Sequence, residues 1–153
     1  MDESNLINTE ETKAQDVRSL LRQAKKLYLS FFDVNYIYSP LEASQELGLE
    51  SELVQQLVQE YVAQLLQANI SFREYLKEFK HLQKNNQELD FTPLQNLAHK
   101  NLGVARNLRI KDCEDILHGM MGEDNLDYLG VLIEVLEACA IKLSPITAFK
   151  SLQ

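Results

Sequence analysis

At 153 residues, with a net charge of -8 and a pI near 4.9, the chain is one domain long and too acidic to carry the basic footprint of a phosphate-backbone binder, which argues against nucleic acid as a partner. Hydrophobic residues at 45% and charged residues at 25% exclude wholesale disorder, and the longest apolar runs, such as Leu129 to Ile133, fall far short of the roughly 20 residues that span a bilayer. Five Gly, three Pro and no long alternation of β-branched residues leave little material for strands, so the expected class is all-α.

The segment Met1 to Glu11 is polar and acidic, unlike a signal or transit peptide, and a cytoplasmic address is the expectation. Thr9 followed by Glu10 and Glu11 reads as a helix start, after which Val17, Leu20, Leu21, Ala24, Leu27, Tyr28 and Phe31 mark one apolar face that ends near Phe32. That stripe suits packing on the same bundle or on a second copy in a homodimer, and its period does not separate the two. Residues 1–35 are therefore read as an N-terminal helical extension and residues 36–153 as the main bundle.

After an aromatic connector from Asp33 to Ser39, the pair Ser39-Pro40 places an N-cap before a first-turn proline, and Gly48 stops the short helix over 40–47. Ser51 is expected to cap the longest helix, in which Leu53, Val54, Leu57, Val58, Tyr61, Val62, Leu65 and Leu66 recur at three and four. The pattern continues through Phe72, Tyr75, Leu76 and Phe79 and ends at Lys84-Asn85-Asn86; that aromatic spacing suits a core better than a cofactor box. Thr92-Pro93 opens a further helix by the same cap-plus-proline logic as Ser39-Pro40, a pause near Arg109 to Asp112 precedes the segment around Cys113, Ile116 and Leu117, and Gly122 ends it. Asp124 or Asn125 caps the last long helix, which runs from Leu126 through Ile141 to Ser144-Pro145, with one more turn expected after it. Long helices joined by short polar loops lie roughly antiparallel, which predicts an up-and-down four-helix bundle with an additional N-terminal helix.

On a wheel of ~100° per residue, Leu94, Leu97, Ala98, Leu102, Val104, Ala105 and Leu108 form one apolar arc, while His99, Gly103 and Arg106 cluster opposite it with Gln95 at the edge. His99 is thus expected to face solvent, with Lys100 about 100° away and Asn101 falling among the apolar positions. An internal glycine costs a helix about 1 kcal/mol relative to alanine, so Gly103 one turn beyond an exposed histidine suggests the close approach of another protein. A neutral imidazole in that position is a nucleophile near neutral pH.

The stretch Leu97-Ala98-His99-Lys100-Asn101-Leu102-Gly103-Val104-Ala105-Arg106-Asn107-Leu108 resembles the A-H-x-L-K-G-x-A-x-x-L-G signature of histidine-containing phosphotransfer (HPt) domains. The likeness extends over roughly residues 36 to 143, because the family's layout also has a short helix, a long helix, the histidine helix and two that follow. It implies an HPt-type bundle in which His99 accepts a phosphoryl group from a receiver-domain aspartyl phosphate and passes it to another receiver, in a two-component or multistep phosphorelay. It further implies docking through Gln95, Lys100, Gly103, Arg106 and Asn107, with receiver domains and a sensor kinase as the partner classes. The sequence departs from the signature at Leu102, where the family has a lysine, at Asn101 in an apolar position, at Arg106 in a small-residue position, and at Arg109 where a glycine is common. A degenerate bundle of this type that docks receiver or kinase domains without chemistry is the alternative.

No G-x-x-x-x-G-K-[ST] or other glycine-rich phosphate loop occurs, so the reading is a phosphocarrier without its own ATP site and without a cofactor. The histidines His81, His99 and His118 are scattered, with no H-x-x-x-H pair, and Cys113 and Cys139 lie in apolar surroundings as buried, reduced thiols, so no metal is assigned. His81 and His118 stand near helix ends, where a cation favours the dipole. Glu134 with Glu137, and Asp112 with Glu114 and Asp115, are expected on solvated helix faces.

Overall fold

The computed structural model describes residues 3–32 and 36–153, with side chains from residue 11 onward. Among these the chain forms seven helices and no strand: α1 Glu3–Phe31, α2 Pro40–Leu47, α3 Ser51–Lys84, α4 Thr92–Leu108, α5 Lys111–Met121, α6 Leu126–Leu143 and α7 Pro145–Ser151. The all-helical class follows from the composition, and none of these helices is long and apolar enough to cross a membrane. Residues 33–35 of the expected aromatic connector lie outside the described residues.

The caps show which local signals carried. Ser39 caps α2 by accepting from the Glu42 amide at 3.2 Å, and Gly48 ends it at φ 68°, a left-handed conformation that favours glycine. Asn125 caps α6, its side chain accepting from the Tyr128 amide at 3.0 Å. Ser51 and Thr92 differ from expectation, because each is the first helical residue and not the cap. At α4 the Asp90 carboxylate reaches in from two residues upstream and accepts from the Thr92 amide at 3.0 Å, so a cap-like bond forms one turn position early. The first helix begins at Glu3, well before Thr9, and the tail beyond Ser144 forms the seven-residue α7, longer than the one turn expected.

The core is continuous through α3, α4, α5 and α6, with Phe72, Leu94, Ala98, Ile116, Leu129 and Leu136 all buried. In packing order α3 touches α4, α4 touches α5, α5 touches α6, and α6 returns to α3. Contacts along these helices run in opposite directions: Tyr61 meets Asn101 and Phe79 meets Phe91 between α3 and its neighbour, and Gln95 meets Met121 while Arg106 meets Glu114 between α4 and α5. Leu76 packs under Gly130, where the absence of a side chain lets α3 and α6 approach; a Cβ there would stand 3.3 Å from Leu76 Cδ2. Helix α1 lies across α6 and α7, burying Ala24 and Tyr28 with Leu20, Leu21, Leu27 and Phe31 against the same core. Much of the apolar stripe of α1 is therefore covered within the chain.

Candidate functional site

Helix α4 orients the candidate site through its buried side. Leu94, Ala98, Asn101, Leu102, Ala105 and Leu108 all face the core, which turns His99, Gly103, Arg106 and Asn107 outward. His99 is exposed and makes no hydrogen bond or ion pair among the described residues, so its imidazole is open to a reagent arriving from solvent. At Gly103 a Cβ would meet nothing within 4 Å, and the backbone angle is helical, so nothing inside the chain requires glycine there. The cost of that glycine to the helix, about 1 kcal/mol, has no compensating contact in the fold.

The residues expected around His99 fall into two groups. Lys100, Gly103 and Asn107 are exposed and free of contacts that would hold them to neighbouring helices. Gln95 and Arg106 flank the histidine by about one and two turns and both lean onto α5. The Gln95 amide donates to the Met121 carbonyl at 3.0 Å, while the Arg106 guanidinium lies 3.7 Å from the Glu114 carboxylate. Both partners of the second contact keep solvent access, so the ion pair is weak and separable. These two contacts join the ends of the His99 stripe to the antiparallel α5.

Two departures from the signature acquire a physical account. Leu102 is 2% exposed and Asn101 1% exposed, so both side chains belong to the core. Asn101 satisfies its amide by donating to the Leu97 carbonyl at 2.9 Å, but its side-chain oxygen has no hydrogen-bond partner. That orphan acceptor costs on the order of 1 to 3 kcal/mol. The Tyr61 hydroxyl donates to the Asn101 backbone carbonyl at 2.8 Å, tying the middle of the histidine helix to α3.

The turn after α4 keeps the left-handed geometry that glycine usually supplies. Arg109 adopts φ 64°, its amide donates to the Arg106 carbonyl, and the Ile110 amide donates to the Ala105 carbonyl at 2.9 Å, the paired bonds of a Schellman ending. An arginine in this conformation carries strain of about 1 to 3 kcal/mol, which needs outside support. Its guanidinium donates to Glu46 at 2.9 Å and to the Arg106 carbonyl at 2.8 Å, and the Tyr38 hydroxyl donates to the Leu108 carbonyl at 2.7 Å. The helix end is thus held by residues from α2 and from the segment before it.

Other expectations meet a mixed outcome. Cys113 and Cys139 are buried and free, and they neighbour each other; hydrogen bonding with Cys139, then burial, pushes the Cys113 thiol well up. Among the described residues no group of three or more His, Cys, Asp or Glu is placed to hold a metal ion. Glu137 pairs with Arg73 at 2.9 Å at the edge of α6, and Asp115 and Glu134 are exposed. Asp112 overturns the expectation of a solvated face, because it is only 6% exposed. It sits in the first turn of α5, where its carboxylate accepts from the Cys113 amide at 2.8 Å, and burial raises its pKa above the ordinary carboxylate value. The helical period of α5 does hold the signal, since Asp112 stands four residues before Ile116 on the edge of the arc that buries Cys113, Leu117 and Met120, and its acidic neighbours Glu114 and Asp115 mask it.

No family model, curated protein or solved structure matches this chain.

Proposed function

We propose that this chain is a phosphocarrier in a two-component or multistep phosphorelay, with His99 as the phosphoryl acceptor. The observation that carries the reading is the pairing of an exposed, unbonded imidazole with a glycine one turn along whose missing side chain serves no contact inside the chain. The likeness of residues 97–108 to the HPt signature and the antiparallel ring of α3, α4, α5 and α6 support it, since an up-and-down four-helix bundle is the arrangement that signature implies.

In this reading a receiver domain lowers its phospho-aspartate onto the α4 stripe, with its loops passing over Gly103. A lone pair on the neutral His99 imidazole attacks phosphorus, the N–P bond forms as the acyl-phosphate P–O bond breaks, and the aspartate carboxylate leaves. The reverse exchange delivers the phosphoryl group to a second receiver. Because Leu102 lies in the core, it cannot stand in for the family's lysine, and the positive charge near the phosphoryl group falls to exposed Lys100 and to Arg106 once it parts from Glu114. The same burial of Leu102 favours a second reading, in which the stripe docks receiver or kinase domains without accepting a phosphoryl group.

Incubation with phosphorylated receiver domains separates the two. Phosphotransfer requires an acid-labile, base-stable label on the wild-type chain that is absent from His99→Gln. Receiver binding that persists in both proteins with no label on either supports docking alone, whereas an equal label on His99→Gln places the acceptor elsewhere.

A further inference from the structure

A second candidate site lies away from His99, beneath α1. A cavity of about 450 Å3 opens where α1, the segment leading into α2, α3, the start of α5 and the end of α6 converge. Its volume is that of a small-molecule site, and its walls mix apolar side chains with polar and charged ones. Leu21, Val58 and Leu143 supply apolar wall, Asp112 supplies a carboxylate, and Lys142 and Lys25 supply ammonium groups.

The charges are arranged in an unusual way. The Lys142 ammonium donates to the Tyr36 carbonyl at 3.0 Å and stands 3.1 Å above the centre of the Tyr28 ring, which fixes it in place. Asp112 is held by the Cys113 amide. Each of the two feels the other's charge, yet they do not close into an ion pair. Beside Asp112 the buried Tyr28 hydroxyl is near enough to steady the carboxylate but makes no hydrogen bond of regular geometry, and it has no other partner. Asp112 is buried and Lys142 half-buried, and holding the two charges apart is costly where a direct contact would be the simple remedy. Their separation within one cavity is the complement of a molecule that carries both charges.

We propose that this cavity binds a small zwitterion of the α-amino acid class with a large apolar side chain, its ammonium on Asp112, its carboxylate on Lys142 and Lys25, and its side chain against Leu21, Val58 and Leu143. Burial acts on both groups in the direction that binding would reverse: it raises the pKa of Asp112 and lowers that of Lys142, and an opposite charge placed on each relieves the penalty. Occupancy would also join α1 to the start of α5, the helix that pins the His99 stripe.

Titration of the isotope-labelled full chain with phenylalanine, followed by amide NMR, tests this. Saturable shifts centred on residues 36–38, 112–113 and 142–144 are expected, with 3-phenylpropanoate and 2-phenylethylamine each binding about tenfold more weakly because each leaves the cavity's charge of one sign unmatched. Lys25→Gln, at an exposed position on α1, should weaken phenylalanine several-fold while leaving the fold intact, and Asp112→Asn should weaken it further. No shift at millimolar phenylalanine, shifts centred elsewhere, or equal affinity for 3-phenylpropanoate would each overturn the proposal. The analogue comparison and Lys25→Gln decide it even if Asp112→Asn fails to fold.

Discussion

The His99 stripe and the Asp112 cavity place ionisable groups in opposite settings. On α4 a single helix presents His99, Lys100 and Arg106 to water, and the stripe is placed by the buried side of the same helix, with two edge contacts to α5. Beneath α1, several helices and the segment before α2 converge on the buried Asp112 and the half-buried Lys142, and desolvation shifts both. A surface stripe can gain or lose a charge at little cost to folding, while a change in the cavity or the core beside the stripe acts on stability first. Substitutions in the two regions test whether that division holds.

The largest effect is expected where the stripe meets the core. Leu102→Lys restores the residue type of the HPt signature but forces an ammonium into a position that is 2% exposed. It should lower unfolding stability by about 3 kcal/mol or more, through lost apolar packing and a buried, unpaired charge. Urea denaturation measures it directly. A midpoint equal to that of the wild type would mean that residue 102 reaches solvent, and the boundary drawn between stripe and core would fail.

The cavity should show itself through pH. The Asp112 carboxyl has a folded pKa above its ordinary value of 3.8, so the folded chain holds this proton more tightly than the unfolded one. The stability it contributes is fully present below the unfolded pKa and is lost as pH rises through the folded pKa. Asp112→Asn keeps an acceptor for the Cys113 amide but removes the titration. Relative to that variant, the wild type should lose stability as pH climbs from about 4, and a pH-independent difference would show that Asp112 is not buried as a carboxylate.

These two regions also differ in how far the amino-acid order discloses them. The outward turn of His99 follows from Leu94, Ala98, Leu102 and Ala105 recurring along one helix, a local period that survives whatever the neighbours are. The caps at Ser39 and Asn125 are equally local and legible, whereas Ser51 and Thr92 are the first residues of their helices: the extended cap residue before α3 is Glu50, and before α4 Phe91 is itself already in the helical region. The cavity has no such signature. Lys25, Asp112 and Lys142 are far apart along the chain, and Asp112 reads as surface because it stands beside Glu114 and Asp115. The period of α5 sets Asp112 on the edge of the buried arc with Cys113, Ile116, Leu117 and Met120, but nothing within α5 encodes which distant groups meet it there.

The smallest expected effect is the most direct probe of what the stripe is for. Gly103→Ala adds a methyl group to a helical position where nothing lies within 4 Å, so the variant should be more stable than the wild type by about 0.5 to 1 kcal/mol, read as a higher urea midpoint. The same exchange at Gly130 brings a Cβ to 3.3 Å from Leu76, where the neighbour must move, so it should gain less or lose stability. If Gly103 persists only because a receiver must approach the helix beside His99, its alanine variant should bind or phosphorylate less efficiently than the wild type despite folding better. Opposite signs for stability and docking are the outcome that a merely tolerated glycine cannot produce, since its replacement would raise the first and leave the second unchanged.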